Sequence, residues 1–367
     1  MSESTDRAAV GAPNGGRALL VTSWPDGEQR SHALGVYGAV ASAGFAAGAV
    51  IGGLLVQATW RLVFFVNVPV GIALFAASWR LLPADSPSQS GRLDVAGALA
   101  ATAGVSLLVL GVTRAGDTLE PTQPAVAVGA GIVLLVAFAV WERRAAAPLL
   151  NLDLLKDRGI LGANVCLLAY GACNAGAVLL VTLYLQEGRG LSPLLTGLCF
   201  IPQAVGAFSL AGPASKLVPA LGPRRALAAG MSLGLLALLG SALSVARGSL
   251  VGLLAFLFVM GISARIIQVA STLAGTHGPV AARGQGSASA VLTASRQVGS
   301  ALGVVVMAAM LVSIAGSEGY RTALSLFVAA AFCFVGLLTT RVVPSGPAQP
   351  LLLRLEHLFP RHAGGLP

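Results

Sequence analysis

The chain has 367 residues, 56% of them hydrophobic and only 10% charged, with a mean hydropathy of +0.82. So few charges cannot clothe a water-facing surface, for which about a quarter of the residues are normally charged, and a soluble globular fold is thereby excluded. The net charge of +9 would suggest nucleic acid in a soluble protein, but membrane topology accounts for it first, because cytoplasmic loops gather Lys and Arg.

About twenty mostly apolar residues cross a bilayer core as one helix. In chain order, ten runs meet that need: 34–56, 62–82, 94–113, 124–141, 160–185, 194–214, 225–245, 250–272, 287–312 and 322–341. The breaks between them carry Gly, Pro and acidic punctuation, as at Pro83-Ala84-Asp85-Ser86-Pro87, Gly222-Pro223-Arg224-Arg225 and Gly316-Ser317-Glu318-Gly319. The polar opening stretch has no charged segment leading into an apolar core and cleavage site, so a removable signal peptide is not expected.

With the N-terminus placed in the cytoplasm, sixteen basic residues fall on inside segments. Five (Arg61, Arg114, Arg189, Arg247 and Arg321) fall outside, and Arg265 and Arg296 stay within spans. That asymmetry predicts a multi-pass plasma-membrane protein with both termini cytoplasmic. Trp60, Trp79 and Trp141 stand at span ends, where amphipathic rings anchor at the interface. The basic balance is therefore topology, and no nucleic-acid partner is expected.

Function leaves fewer marks. Cys166, Cys173, Cys199 and Cys333 all lie in apolar runs, with no metal or redox spacing, and read as small packing residues. The four histidines sit at span edges or in tails. No nucleophile or phosphate-binding motif occurs, so neither an enzyme nor a cofactor or metal site is expected. Gly44, Gly48 and Gly52 recur every fourth residue, with Gly53 beside them, and form a bare helix stripe suited to close packing.

That stripe, followed by Trp60-Arg61 and Asn67-Val68-Pro69-Val70-Gly71, resembles the fifth helix and sixth-helix start of the major facilitator superfamily, in its 14-spanner drug:proton antiporter branch. Arg92-Leu93-Asp94-Val95-Ala96-Gly97 is similar to the start of the family's seventh helix. Trp141-Glu142-Arg143-Arg144 is similar to the loop after its eighth, and Arg296-Gln297 with Gly299 and Gly303 to its thirteenth. Two positions depart from the pattern: Ala49 stands where a proline is usual, and the aspartate usual upstream of Gly222-Pro223-Arg224-Arg225 is missing.

The resemblance implies an all-α polytopic bundle. Residues 1–33 form a cytoplasmic segment, 34–82 two helices of an incomplete first bundle, and 83–141 a central pair. A cytoplasmic loop follows at 142–159, then a complete six-helix second bundle at 160–341 and a cytoplasmic tail at 342–367. Four helices that would precede residue 34 in the family are not in the sequence. The function implied is efflux of small amphipathic compounds, with the lipid bilayer and a small-molecule substrate as partners and the proton as coupling ion. The alternative is a truncated, non-transporting remnant or a membrane-embedded interaction subunit.

Charged and polar residues within spans are the candidates for a pathway, since hydrocarbon tolerates them only where they serve. None of the fourteen acids falls at mid-membrane. The candidates are Arg265, Arg296, Gln297, Asn164, Asn174, Gln203 and Gln268, each weighed against simple helix–helix hydrogen bonding. Asn164 and Asn174, ten residues apart, are about 80° from a common helix face and need not share a cavity.

Overall fold

The computed structural model describes residues 28–81, 94–115, 122–142, 156–210, 212–276, 285–314 and 316–344. The residues before 28, those around Arg92, Arg143 and Arg283, and those beyond 344 lie outside them. Every regular element described is helical, the solution for apolar runs that must satisfy their own backbone in lipid. In order they are α1 (Glu28–Ala58), α2 (Leu62–Phe65), α3 (Asn67–Leu81), α4 (Val95–Ala115), α5 (Thr122–Glu142), α6 (Arg158–Leu183) and α7 (Pro193–Cys199). There follow α8 (Ile201–Ser209), α9 (Pro213–Leu221), α10 (Pro223–Ala246), α11 (Leu250–Thr276), α12 (Gln285–Ser313) and α13 (Glu318–Thr339).

Among the described residues, seven helical segments are long and apolar enough to cross a membrane, and three shorter apolar ones bring the number to ten. Two of the expected spans differ in form. The run 194–214 is not one helix but three consecutive pieces, α7, α8 and α9, extending to Leu221. Pro202 and Pro213 lack the N–H that would continue the ladder, and Phe200 turns at φ −88°, ψ −6° between the first two pieces. The run 62–82 is interrupted at Val66, because Pro69 cannot donate to Phe65 one turn before it.

Helix starts are capped where the chain can be capped. The Asp157 carboxylate accepts from the N–H groups of Gly159 and Ile160 at 2.7 and 3.2 Å, and Ser192 and Ser317 begin α7 and α13 in the same manner. Gly222 (φ 78°) and Gly248 (φ 65°) make the tight links α9–α10 and α10–α11 in a left-handed region closed to most side chains.

The helices pack through glycine. Along α6 and α12 the pairing keeps a constant offset of 131 residues: Asn164 with Ser295, Leu168 with Gly299, Ala172 with Gly303, and Gly176 with Met307. A constant offset means that these two helices run parallel. A Cβ on Gly299 or Gly303 would overlap the carbonyl oxygen of Leu168 or Ala172, and one on Gly171 would overlap that of Arg296. Elsewhere Gly230 meets Ile267, Gly240 meets Phe256, and Gly206 and Gly261 interlock α8 with α11. In each case two backbones approach as only small residues permit, the usual source of helix association in lipid. Buried residues of α6, α10, α11, α12 and α13 form a continuous apolar core with Phe200, Ala214 and Val218 from the broken helix.

The N-terminal helices are attached more sparingly. Helix α1 packs on α7 and α8, and its Ala49 and Gly53 meet Gly197 and Pro193 of α7. Gly44, Gly48 and Gly52 face open space, so in this structure Gly53 is the member of the stripe that touches a neighbour. The α2–α3 span, Leu62–Arg80, buries none of its apolar window. Helices α4 and α5 form an antiparallel pair locked by Gly104, Gly111 and Gly131, and closed where Trp141 Nε1 donates to the Asp94 carboxylate at 3.1 Å.

Glycine contact therefore separates two kinds of position. Gly303→Val forces the α6–α12 seam apart and should destabilise the protein by about 1–3 kcal/mol or more, as overpacking does. Gly48→Val, facing open space, should leave the unfolding midpoint of the detergent-solubilised chain unchanged. Thermal unfolding of the two variants, side by side, checks the contrast.

Candidate functional site

The polar candidates fall into two layers. In the first, near the start of α6, Asn164 is buried. Its Nδ2 donates to the Ile160 carbonyl at 2.8 Å, and its Oδ1 accepts from Ser295 Oγ of α12 at 2.8 Å. The pair continues the glycine seam by one turn. Arg296 follows Ser295 and is half-buried. Its carbonyl lies against Gly171 and accepts from Ser300 Oγ at 2.9 Å, while Gln297, about 200° round the helix from Ser295, is exposed.

The second layer is built at the break in α7–α8. Gln203 is the third residue of α8 and is only 4% exposed. Its Nε2 donates to Asn174 Oδ1 of α6 at 3.2 Å, and its backbone carbonyl rests on Gly261 of α11. Its Oε1 is buried and accepts no hydrogen bond among the described residues. Turning both amides over together only exchanges which end of Gln203 is left without a partner. A buried acceptor left this way costs about 1–3 kcal/mol, so it is a feature to be explained.

Helix α11 brings Arg265 towards the same region. At 100° per residue, Phe258, Gly261, Arg265 and Gln268 share an arc of roughly 80°, and Phe258 and Gly261 fix that arc as the face packed on α8. The opposite face is pinned to α10, where Ser263 Oγ donates to the Gly230 carbonyl at 2.8 Å. Arg265 is half-buried and Gln268 exposed, one and two turns along from the Gly261 contact. An arginine at mid-span costs about 2.5–3.5 kcal/mol on insertion scales, a cost tolerated where the side chain faces protein or a wet cavity.

The structure thus brings Gln203 together with Asn174, places Arg265 and Gln268 on the adjoining face of α11, and seats Asn164 apart, against α12. Ser295 was missed in the sequence. The signal that would have found it is the spacing Ser295, Gly299, Gly303, small residues every fourth position. A clasp at the other end of the bundle was missed as well: Arg189 donates through Nε to Tyr184 Oη at 3.2 Å and through Nη2 to the Gly248 carbonyl. It closes the π-helical turn Tyr184–Gly188 on the α10–α11 link and depends on loop closure that no local pattern records. Glu142, expected at a span end, is buried there at 3% exposure. Among the described residues, no group of His, Cys, Asp or Glu is arranged to hold a metal ion.

A tightly interlocked helical bundle, broken on one helix beside a polar pair, has the form of a membrane carrier, and comparison with known proteins decides the family. The profile of the Major Facilitator Superfamily matches residues 8–304. The chain belongs to the major facilitator superfamily. The cephamycin export protein CmcT of Amycolatopsis lactamdurans is 32% identical over 354 residues, covering 92% of this chain and 70% of that protein. The puromycin resistance protein of Streptomyces alboniger is 32% identical over 303 residues, covering 79% of this chain and 58% of its own length. The methylenomycin A resistance protein of Streptomyces coelicolor is 29% identical, over 89% of this chain and 69% of its own length. This chain therefore spans between about three-fifths and seven-tenths of these relatives, which are export and antibiotic-resistance proteins in keeping with the drug:proton antiporter branch. It is a multi-pass membrane protein of a transporter family.

The Asn174–Gln203 bond gives the site a thermodynamic signature. Asn174→Ala leaves the buried Gln203 amide with neither partner and should lower stability by about 1–3 kcal/mol, whereas Asn174→Ala combined with Gln203→Leu should recover most of that loss. Unfolding midpoints of the single and double variants check it.

Proposed function

We propose that this major facilitator chain works in the export of small amphipathic compounds from a bacterial cell, across the plasma membrane and in exchange for protons. The observation that carries the reading is the broken helix α7–α8, with the Asn174–Gln203 pair and the Arg265 face of α11 beside it. Irregular backbone at membrane depth persists where it borders a substrate cavity or is buried in protein, and carriers of this kind bind near such breaks. Export and resistance in the names of the relatives support the direction of transport.

In this reading α6–α13 rock as one body against the helices before them, with α1 on α7 as the moving contact. The Asp157 end of α6 faces the cytoplasm, as do both termini, in keeping with the excess of Arg and Lys on that side. Arg265, Arg296, Gln203, Asn174, Asn164, Gln268 and Gln297 line or order the pathway. A second reading, a membrane-embedded subunit that moves substrate only with further helices, has one observation in its favour: the α2–α3 span buries nothing in this chain.

Expression in a pump-deficient bacterial strain separates the two. The first reading expects lower steady-state accumulation of a lipophilic fluorescent dye, restored when a protonophore collapses the proton gradient. Unchanged accumulation, with the chain shown to be inserted in the membrane, overturns autonomous export and leaves the subunit reading.

A further inference from the structure

Charge is one-sided in the second part of the chain. Between Arg158 and Val342 stand eleven basic residues and two acidic ones, Glu187 and Glu318. The whole net charge of +9 resides there, since the remaining twelve basic residues are balanced by twelve acids. Both acids of this region lie at one end of the bundle. Glu187 is exposed in the π-helical turn after α6, and Glu318 opens α13, whose Gly319 approaches the Tyr184 ring. From Gly188 to Ser317 there is no carboxylate at all.

Two of the basic residues, Arg265 and Arg296, lie well away from the ends of their membrane spans, Leu250–Ala274 and Ala290–Leu311. Their depths agree. Leu250 of α11 and Leu311 of α12 both belong to the acidic end. The first follows the Gly248 that Arg189 clasps, and the second gives its carbonyl to Arg321 Nε at 2.8 Å. Arg265 and Arg296 each stand fifteen residues from those markers, so at 1.5 Å per residue both guanidinium-bearing positions lie roughly 22 Å below that end. Both residues are half-buried. The α11 face that carries Arg265 is the one packed on α8, where Gln203 sits.

We propose that this layer recognises the negatively charged group, a carboxylate or sulfonate, of an amphipathic substrate, with Arg265 as the principal contact and Arg296 adding to the field at the same depth. The proposal rests on the export reading and names its substrate class. Guanidinium stays charged at any physiological pH, and its planar fork of donors matches the two oxygens of a carboxylate. The sequence from Gly188 to Ser317, which includes both arginines, has no carboxylate, so those helices offer an incoming cation like charge, which costs it binding and supplies specificity by repulsion. An anion meets charge of opposite sign in a region of low dielectric, where the attraction is strongest. A neutral ligand of the same skeleton gains nothing from that charge.

The test uses the whole chain in nanodiscs of zwitterionic lipid, with empty discs as baseline, and measures affinity for three probes by fluorescence. Anilinonaphthalene sulfonate is the anion, phenylnaphthylamine its neutral counterpart on the same skeleton, and ethidium the cation. The anion should bind about tenfold or more tighter than the other two. Arg265→Gln should abolish that preference while phenylnaphthylamine still binds, which shows that the variant is folded; Arg265→Lys should keep most of it. Phosphatidylglycerol carries the same anionic chemistry, so the measurement is repeated with it in the discs, and the sulfonate affinity should hold. Equal affinity for the three probes overturns the proposal, as does a preference that survives Arg265→Gln and Arg296→Gln together. Loss of sulfonate binding to phosphatidylglycerol also overturns it, marking a lipid site instead. Binding of none of the probes overturns both this proposal and the export reading beneath it.

Discussion

The contact of the α6 backbone with the α12 backbone organises this molecule. Four successive pairings, each four residues beyond the last on both helices, hold the two chains in parallel at carbonyl-to-glycine distance. In lipid no hydrophobic gain draws helices together, so close approach and the dispersion it brings must do so. The seam fixes the depth of Asn164 and Arg296 on one side, and it presents Asn174 on α6 to the break in the next span. Helices α10, α11 and α13 then fill the remaining sides, with Ser263 and Cys333 tied by side-chain bonds to the α10 carbonyls of Gly230 and Met231.

Much of this architecture could be read from composition alone. Apolar runs long enough to span, scarce charge and Gly, Pro or acidic punctuation mark ten segments, because a bilayer imposes length and polarity on any chain that crosses it. Break positions inside spans were harder. Pro202 and Pro213 are visible, yet a single proline is often absorbed as a kink, and only the packing of Gly206 and Gly261 shows that α8 is held as its own piece. Conversely, the four-residue glycine stripe at Gly44 draws the eye, while the interlocked glycines at 299 and 303 carry the closest contacts. A periodic stripe declares that approach is possible; whether a neighbour is there is a tertiary fact.

The site was legible in its residues and not in its pairings. Gln203, Asn174 and Arg265 stand out because amides and guanidinium are costly in hydrocarbon. That Gln203 meets Asn174, twenty-nine residues away and across a turn of the chain, follows from helix rotation, which apolar spans with no polar face leave unstated. Ser295 was hidden for the opposite reason, since a small hydroxyl residue in a small-residue repeat looks like packing until its oxygen is seen to reach Asn164.

The constant offset along α6 and α12 also sets what the bundle can do as a machine. Small residues recur every fourth position, so the next shape-compatible register of one helix on the other lies a full step of roughly 6 Å away. Any shorter slip drives a carbonyl into a side chain. The seam behaves as a tooth-and-notch rack with no intermediate stops, and rotation within this half of the protein is blocked in the same way. Motion is pushed outward, to the joint of α1 with α7, where Gly53 and Gly197 each meet the backbone of the facing helix.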